Sequence, residues 1–256
     1  MSFNKKLNTK SNIFALIPAR AGSQSIKDKN LQQIKGHPIM AYAIAVARLS
    51  KKISRVFVST NSDEYAKVAI SYGAEVPFLR PNNISTAEST DIEFFSHFLN
   101  WMKANENLTP ELIVHLRPTS PLRQLSIVEN AIEFMEENET ATSLRSCETS
   151  VHTPFKSFYE ENGFMKPILE LKDHEESYNL PRQRFPIVYV PNGHVDIVKP
   201  NTLFSQNSLH GKKMKLWLTE SVPDIDTITQ LDYAKYVSNS DKYRYLIEYL
   251  DYIKAG

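Results

Sequence analysis

The sequence is poor in the residues that build several common kinds of site. It holds one cysteine, Cys147, among 256 residues, so no intrachain disulfide can form, which fits a reducing cytoplasm. A lone thiol of this kind reads as a small, semi-buried side chain rather than a nucleophile. No apolar run approaches the roughly 20 residues that cross a bilayer. The opening Met1 to Asn12 is polar, carries lysine and has no apolar centre, unlike a secretory leader. It reads as a short tail, residues 1–12, ahead of a single domain spanning 13–256. Thirty Lys and Arg stand against 29 Asp and Glu, a net charge of +1. No global basic field therefore calls for nucleic acid or an anionic membrane, and any anion site must be local. The seven histidines contain no pair at zinc-ligand spacing. His115, inside an apolar run, reads as a hydrogen-bonded core residue. There is no G-x-S-x-G elbow, so covalent catalysis has no support.

What the chain does contain is a rhythm. Ile13–Pro18 is a continuous apolar run, short enough for a buried parallel strand. Pro38 opens a helix to about Leu49, with Ile39, Ala43, Val46 and Ala47 on one stripe. Arg55–Thr60 reads as a second strand, and Asn61-Ser62-Asp63-Glu64 caps a helix to about Tyr72 that Gly73 stops. Glu75–Leu79 reads as a short third strand, Thr90–Asn105 as a helix, Leu112–Leu116 as a buried strand and Ser126–Glu137 as a helix. Such alternation predicts an α/β fold with a doubly wound, mostly parallel sheet. Ligands then bind beyond the carboxyl ends of the strands, which places 18–30, Thr60-Asn61 and 117–123 on one rim. The rhythm breaks after Ala141. Residues of about 148–187, rich in Pro, Phe, Tyr, Glu and Lys with weak helical period, read as an inserted lobe. Val188–Lys199 returns to strand character, interrupted by the turn-forming Pro191-Asn192-Gly193. Lys215–Leu218 reads as a late strand, and Thr229 onward as closing helices.

Three segments could carry chemistry. The first, "PARAGSQSIKDKN" from Pro18 to Asn30, follows the first strand and collects Arg20, Ser23, Lys27, Lys29 and Asn30, with Gly22 allowing close backbone approach. Hydroxyl, cations and backbone N–H groups meeting at a strand end make an anion cradle. Its single glycine excludes G-x-G-x-x-G, and it is not G-x-x-x-x-G-K-[ST]; the bland alternative is a solvated basic loop. The second, Asp224-Ile225-Asp226, places two carboxylates on one face of an extended segment, where they could hold Mg²⁺ together with substrate phosphates. Taken alone, such a pair also occurs at ordinary turns. The third, "LRPTSPLR" from Leu116 to Arg123, is stiffened by two prolines and offers two arginines and two hydroxyls. Lys156 and Arg182 in the lobe could meet an acidic substrate.

The order of these segments is more specific than any one of them. "IPARAGS…KDKN", "VSTNSDEYAKVAISYGAEVPFLRP", "LRPTSPLR", "PRQRFPIVYVPNG" and "DIDT" together resemble the acylneuraminate (sialic acid) cytidylyltransferase family, from about Ile13 to Tyr236. The resemblance implies that CTP and a nonulosonic-type or ulosonic acid give a CMP-sugar and pyrophosphate, with Mg²⁺ as cofactor. It implies that Arg20, Gly22, Ser23, Gln24, Lys27, Lys29, Asn30, Arg80, Arg117 and Ser120 surround the nucleotide, and that Asp224 and Asp226 carry the metal. Arg20, Lys29, Asp224 and Asp226 would be the catalytic set. Lys156, Arg182 and Asn192 would meet the acidic sugar, and the lobe would be a dimerisation insert reaching the partner's site, making a cytoplasmic homodimer. The chain departs from the pattern at three places: Gln24-Ser25 where Lys-Gly is usual, Arg117 where Gln is common, and His194-Val195-Asp196 where sialic acid enzymes are more apolar. Lys27 is the candidate to replace the charge missing at Gln24. Two other readings stay open: another nucleotide or acceptor, such as a sugar phosphate or phosphonate, and a nucleotide-binding homologue with impaired turnover.

Overall fold

The computed structural model describes residues 11–172 and 174–255; the tail expected over 1–12 lies outside them except for Ser11 and Asn12. Those two are tied down, Ser11 Oγ donating to Lys52 O at 2.7 Å and Asn12 Nδ2 to Thr109 O at 3.0 Å.

The apolar run at Ile13–Pro18 forms β1. Its side chains alternate between two cores: Ile13, Ala15 and Ile17 enter one, Phe14 and Leu16 the other. A strand that is apolar at every position is what a sheet covered on both faces requires. After β1 come a two-residue antiparallel pair, β2 (Gln33–Ile34) and β3 (His37–Pro38), and then α1 (Ile39–Leu49), β4 (Arg55–Ser59) and α2 (Asp63–Ser71). Next are α3 (Asp91–Glu106), β5 (Leu112–His115), α4 (Leu125–Glu137) and β6 (Ser143–Thr149). The chain ends through β7 (Phe158–Glu161), β8 (Phe164–Pro167), β9 (Tyr189–Val198), α5 (Pro200–Gln206), β10 (Met214–Leu218), α6 (Ile228–Val237) and α7 (Arg244–Ala255).

Six strands make one sheet in the order β10-β6-β9-β5-β1-β4. Only β9 runs against its neighbours; the other pairings are parallel. The doubly wound, mostly parallel α/β fold expected from the sequence is present. The carboxyl ends of β1, β4 and β5 bring the 18–30, 60–61 and 116–123 loops to one rim, the ligand-binding edge of such sheets.

Four elements differ from expectation. Glu75–Leu79 contributes one parallel bridge, Phe57 to Glu75, because Pro77 has no N–H to extend a ladder. Helix α1 is buried all round from Ile39 to Ala47 rather than along a stripe; it is sandwiched between the sheet and α7, and its alanines allow the close approach. The lobe holds a β-hairpin, β7–β8, whose turn residues Asn162 and Gly163 both have positive φ, 53° and 82°, as a two-residue hairpin turn demands. Finally, Pro191-Asn192-Gly193 does not interrupt β9. It is a bulge, where pairing with β6 jumps from Arg145–Asp196 to Cys147–Pro191 and Gly193 takes φ 68°.

Candidate active site

The loop after β1 is held as a fixed shape by its own polar groups. The backbone N–H of Ala21 donates to Asn61 Oδ1 at 2.9 Å, beyond the end of β4. Asn30 Nδ2 donates to the Arg20 carbonyl at 3.0 Å, and Arg20 Nη1 to the Gly22 carbonyl at 3.1 Å. Asn30 is buried, so its amide shapes the loop. Gly22, at φ 78°, lets the chain reverse with open space around its Cα.

The loop forms one wall of a cleft of about 340 Å³. Arg20, Ser23, Gln24, Lys29, Asn30, Arg80 and Arg117 all line it, so seven of the ten residues expected around a nucleotide are gathered in one place. Gly22 lies within the same loop. Lys27 is exposed and is not among the lining residues; its carbonyl accepts a hydrogen bond from Gln32 Nε2 at 2.9 Å. Gln24 thus lines the cleft without a replacement cation from Lys27.

Ser120 lies below the rim, fully buried. A Cβ on Gly193 would stand 2.7 Å from Ser120 Oγ, so the β9 bulge closes directly over this hydroxyl. Arg123 is also fully buried and is not presented to the rim. Its Nε donates to the His194 carbonyl at 2.7 Å, and its Nη2 to the carbonyls of Arg117 (2.5 Å) and Gly193 (3.0 Å). Burial, followed by repulsion from Arg117, lowers its pKa to about 9. It staples the 116–123 loop to β9.

Arg80 is 4% exposed and sits 4.8 Å from the Phe94 ring centroid, while its Nε and Nη2 donate to Ser59 Oγ (3.0 Å) and Ser59 O (2.6 Å). Burial, then the nearby Arg20 charge, lowers its pKa to about 10. Arg117 pairs through Nη1 with Asp196 Oδ2 at 2.6 Å and through Nη2 with Asp91 Oδ2 at 2.8 Å. Asp196 is fully buried. Arg117 and Asp196, two of the three departures from the family pattern, are therefore one ion pair.

The Asp224-Ile225-Asp226 segment alternates as expected: both aspartates are exposed around a buried Ile225, whose N–H donates to Thr119 O at 2.8 Å. Asp226 Oδ1 meets Lys29 Nζ at 2.8 Å, which sets the segment against the edge of the cationic cleft. Asp224 takes a long hydrogen bond from Ser120 Oγ, 3.4 Å, and lines a second cavity of about 300 Å³ with Asn192, Glu148 and Tyr233. Among the described residues no three His, Cys, Asp or Glu side chains gather to hold a metal. Asn192 spends its amide internally, Nδ2 on Thr219 Oγ1 (2.8 Å) and Glu220 O (3.1 Å), Oδ1 on the His194 N–H (3.2 Å). Lys156 and Arg182 both line a lobe cavity of about 220 Å³ and line neither the cleft nor the second cavity. The sequence reading missed Ser25, Ser89, Asp91 and Phe94 in the cleft. Thr90 and Glu93 form a capping box at the start of α3, but nothing local in the sequence says that the next residue, Asp91, lines a cleft.

A doubly wound sheet with a cationic, hydroxyl-bearing loop at the end of its first strand, tied to Asp226 at its edge, has the chemistry to receive a phosphate-bearing ligand. The family model described as cytidylyltransferase matches residues 14–242, and the chain belongs to this family of nucleotidyltransferases. It is 30% identical over 225 residues to the CMP-N,N'-diacetyllegionaminic acid synthase of Legionella pneumophila, covering 87% of this chain and 93% of that one. It is 25% identical over 236 residues to the N-acylneuraminate cytidylyltransferase of Escherichia coli O18:K1:H7, covering 91% of this chain but 53% of that longer protein. The fold matches a CMP:2-keto-3-deoxy-manno-octonic acid synthetase solved with CTP, TM-score 0.64 at 13% identity, over 90% of this chain and 99% of that one.

Proposed function

We propose that this protein is a Mg²⁺-dependent cytidylyltransferase that activates a nonulosonic or ulosonic sugar acid with CTP, giving a CMP-sugar and pyrophosphate. The observation that carries this reading is the Lys29–Asp226 contact at 2.8 Å, which ties Asp226 to the edge of the cleft that Arg20 and Lys29 make cationic, with Asp224 two residues before it on the adjoining cavity. The cleft's basic loop would hold the triphosphate. The residues suit Mg²⁺: oxygen donors on one face, with an ammonium already resting on one carboxylate where a hard cation would sit. Bound there by Asp224, Asp226 and phosphate oxygens, the ion would supply charge neutralisation on the phosphates. Arg20 and Lys29 would orient the triphosphate and stabilise the departing pyrophosphate, so the protein's work is positioning and electrostatics. The acid's anomeric hydroxyl would displace pyrophosphate at the α-phosphorus.

The second cavity beside Asp224 has room for a sugar, and the distant Lys156 and Arg182 suit a carboxylate delivered to a partner's site. We therefore place the working enzyme as a homodimer built through the lobe, whose Phe164 and Met165 are each 70% exposed. A pyrophosphate-release assay with CTP, Mg²⁺ and a panel of nonulosonic and ulosonic acids tests the reading. Release with at least one acid, abolished by chelator, is expected; intact CTP binding with no release across the panel would contradict it.

One observation favours a second reading, a nucleotide-binding homologue with impaired turnover. Gln24 lines the cleft where a lysine is usual, and Lys27 is not there to replace it. Another nucleotide or acceptor, the reading motivated by Arg117 as an added anion contact, gains less support, since Asp91 and Asp196 offset that guanidinium's charge while leaving it N–H groups to donate.

A further inference from the structure

The cleft has two chemically different ends. The loop end offers Arg20, Ser23 and Lys29, suited to phosphate. The other end is lined by Arg80, whose planar guanidinium lies over the buried Phe94 ring, 4.8 Å from its centroid. Three polar groups converge there. Arg80 has Nη1 uncommitted after its two bonds to Ser59. Arg117 is fixed from behind by the buried Asp196. Asp91, the one carboxylate among the described residues lining the cleft, gives only Oδ2 to Arg117. Its Oδ1 makes no hydrogen bond to the described protein, and its side chain is 40% exposed.

We propose that Asp91 is the residue that selects the base of the bound nucleotide, its free Oδ1 accepting from an exocyclic amine while Arg80 and Arg117 donate to the neighbouring ring acceptors. Two donors and one acceptor are the complement of cytosine, whose N4 amine donates and whose N3 and O2 accept; carboxylates take that amine in other settings too. Uracil would turn its O4 acceptor towards the same carboxylate and leave both groups unpaired, the kind of mismatch by which a polar site discriminates strongly. The Arg117–Asp196 pair then has a purpose: it holds Arg117, and through it Asp91, at a fixed angle to the base. Charge explains why an arginine here can coexist with a neutral base, since two carboxylates offset it.

The inference rests on the cytidine-nucleotide reading above, and calorimetric titration of CTP and UTP separates the two. Wild type should bind CTP at least about tenfold more tightly than UTP. Asp91→Ala should weaken CTP by about tenfold or more, the loss of one charge-assisted hydrogen bond, while leaving UTP almost unchanged. Asp91→Asn, nearly isosteric, should narrow the ratio by tightening UTP, because its amide can turn a donor towards O4; it also carries the test if the alanine variant does not fold. Equal losses for both nucleotides in these variants would overturn the inference and leave Asp91 as a support for Arg117. A wild type that binds neither pyrimidine nucleotide would defeat the CTP reading itself.

Discussion

At the residue scale the site is defined by which charges are free and which are spent. Arg117, Arg123 and Arg80 look alike in the sequence, yet Arg117 is held by two carboxylates, Arg123 is stapled to three carbonyls, and Arg80 keeps only part of its guanidinium for a ligand. No sequence pattern separates these fates, because each depends on a partner distant in the chain: Ser59 for Arg80, 21 residues away, Gly193 for Arg123, 70 away, and Asp196 for Arg117, 79 away. The loop cations were legible because they are neighbours in sequence and follow a strand. Gln24 is the test of that charge count. Gln24→Lys should raise kcat/KM for CTP by about tenfold, the effect of one added phosphate contact at the transition state, read in the pyrophosphate assay. An unchanged rate would mean that Arg20 and Lys29 already suffice.

The histidines behind the cleft give a second residue-scale prediction. His115 was expected to be hydrogen-bonded, but neither ring nitrogen has a partner among the described residues; it is held by ring contacts with Phe94 and Phe95. Burial and then Arg117 drive its pKa well below the ordinary value. His194 is lowered to about 3 by burial and then Arg123, and its Nε2 accepts from the Gln124 N–H at 3.2 Å. Both rings are neutral when folded, whereas in the unfolded chain they protonate near pH 6.5. Their contribution to stability is therefore complete above that pH and is lost as pH falls below it. His194 should remove about 1.4 kcal/mol between pH 7.5 and 5.5, and His115 acts in the same direction. Thermal unfolding across this range should show a falling Tm. His194→Gln, which keeps the acceptor, should flatten the slope by about one proton; an equally steep slope would refute the assignment.

At the scale of elements, periodicity found β1, β4, β5 and α1–α4 because each carries its own apolar pattern. It failed where one residue's conformation decides the outcome. Pro77 reduced a strand to a bridge, Asn162-Gly163 made a hairpin inside the lobe, and Gly193 turned a presumed break into a bulge. The bulge matters for the site, because it seats Gly193 on Ser120 and lets Arg123 reach two successive β9 carbonyls. Gly193→Ala combines a strained φ of 68° with a Cβ 2.7 Å from Ser120 Oγ and should cost about 1–3 kcal/mol. The drop in Tm should be partly reversed by adding Ser120→Gly, which removes the hydroxymethyl group and leaves only the backbone strain. No rescue would show that the contact does not limit packing there.

At the scale of the whole molecule, the sheet was legible, because its strands carry their own apolar pattern. Helices cover both faces of the sheet around β1, but the edge strand β10 leaves Met214, Leu216 and Leu218 at 52%, 45% and 59% exposure, and the lobe adds Phe164 and Met165. Exposed apolar side chains of this kind suit the interaction face proposed above for the lobe. If a second copy covers the lobe, sedimentation should give a dimer at micromolar concentration, and Phe164→Asp with Met165→Lys should yield a folded monomer with low activity but intact CTP binding. A monomeric wild type with full activity would remove the role given to Lys156 and Arg182 across the interface. Among the described residues no helix is long and apolar enough to cross a membrane.

Cytidylyl transfer to an acidic sugar is observed directly by phosphorus NMR of CTP with Mg²⁺, the protein and a nonulosonic or ulosonic acid. The three triphosphate resonances should give way to one phosphodiester signal and pyrophosphate in equal amounts, and Asp224→Asn with Asp226→Asn should leave the CTP spectrum unchanged. Persistence of CTP with every acid, or conversion to CDP and inorganic phosphate, would contradict it.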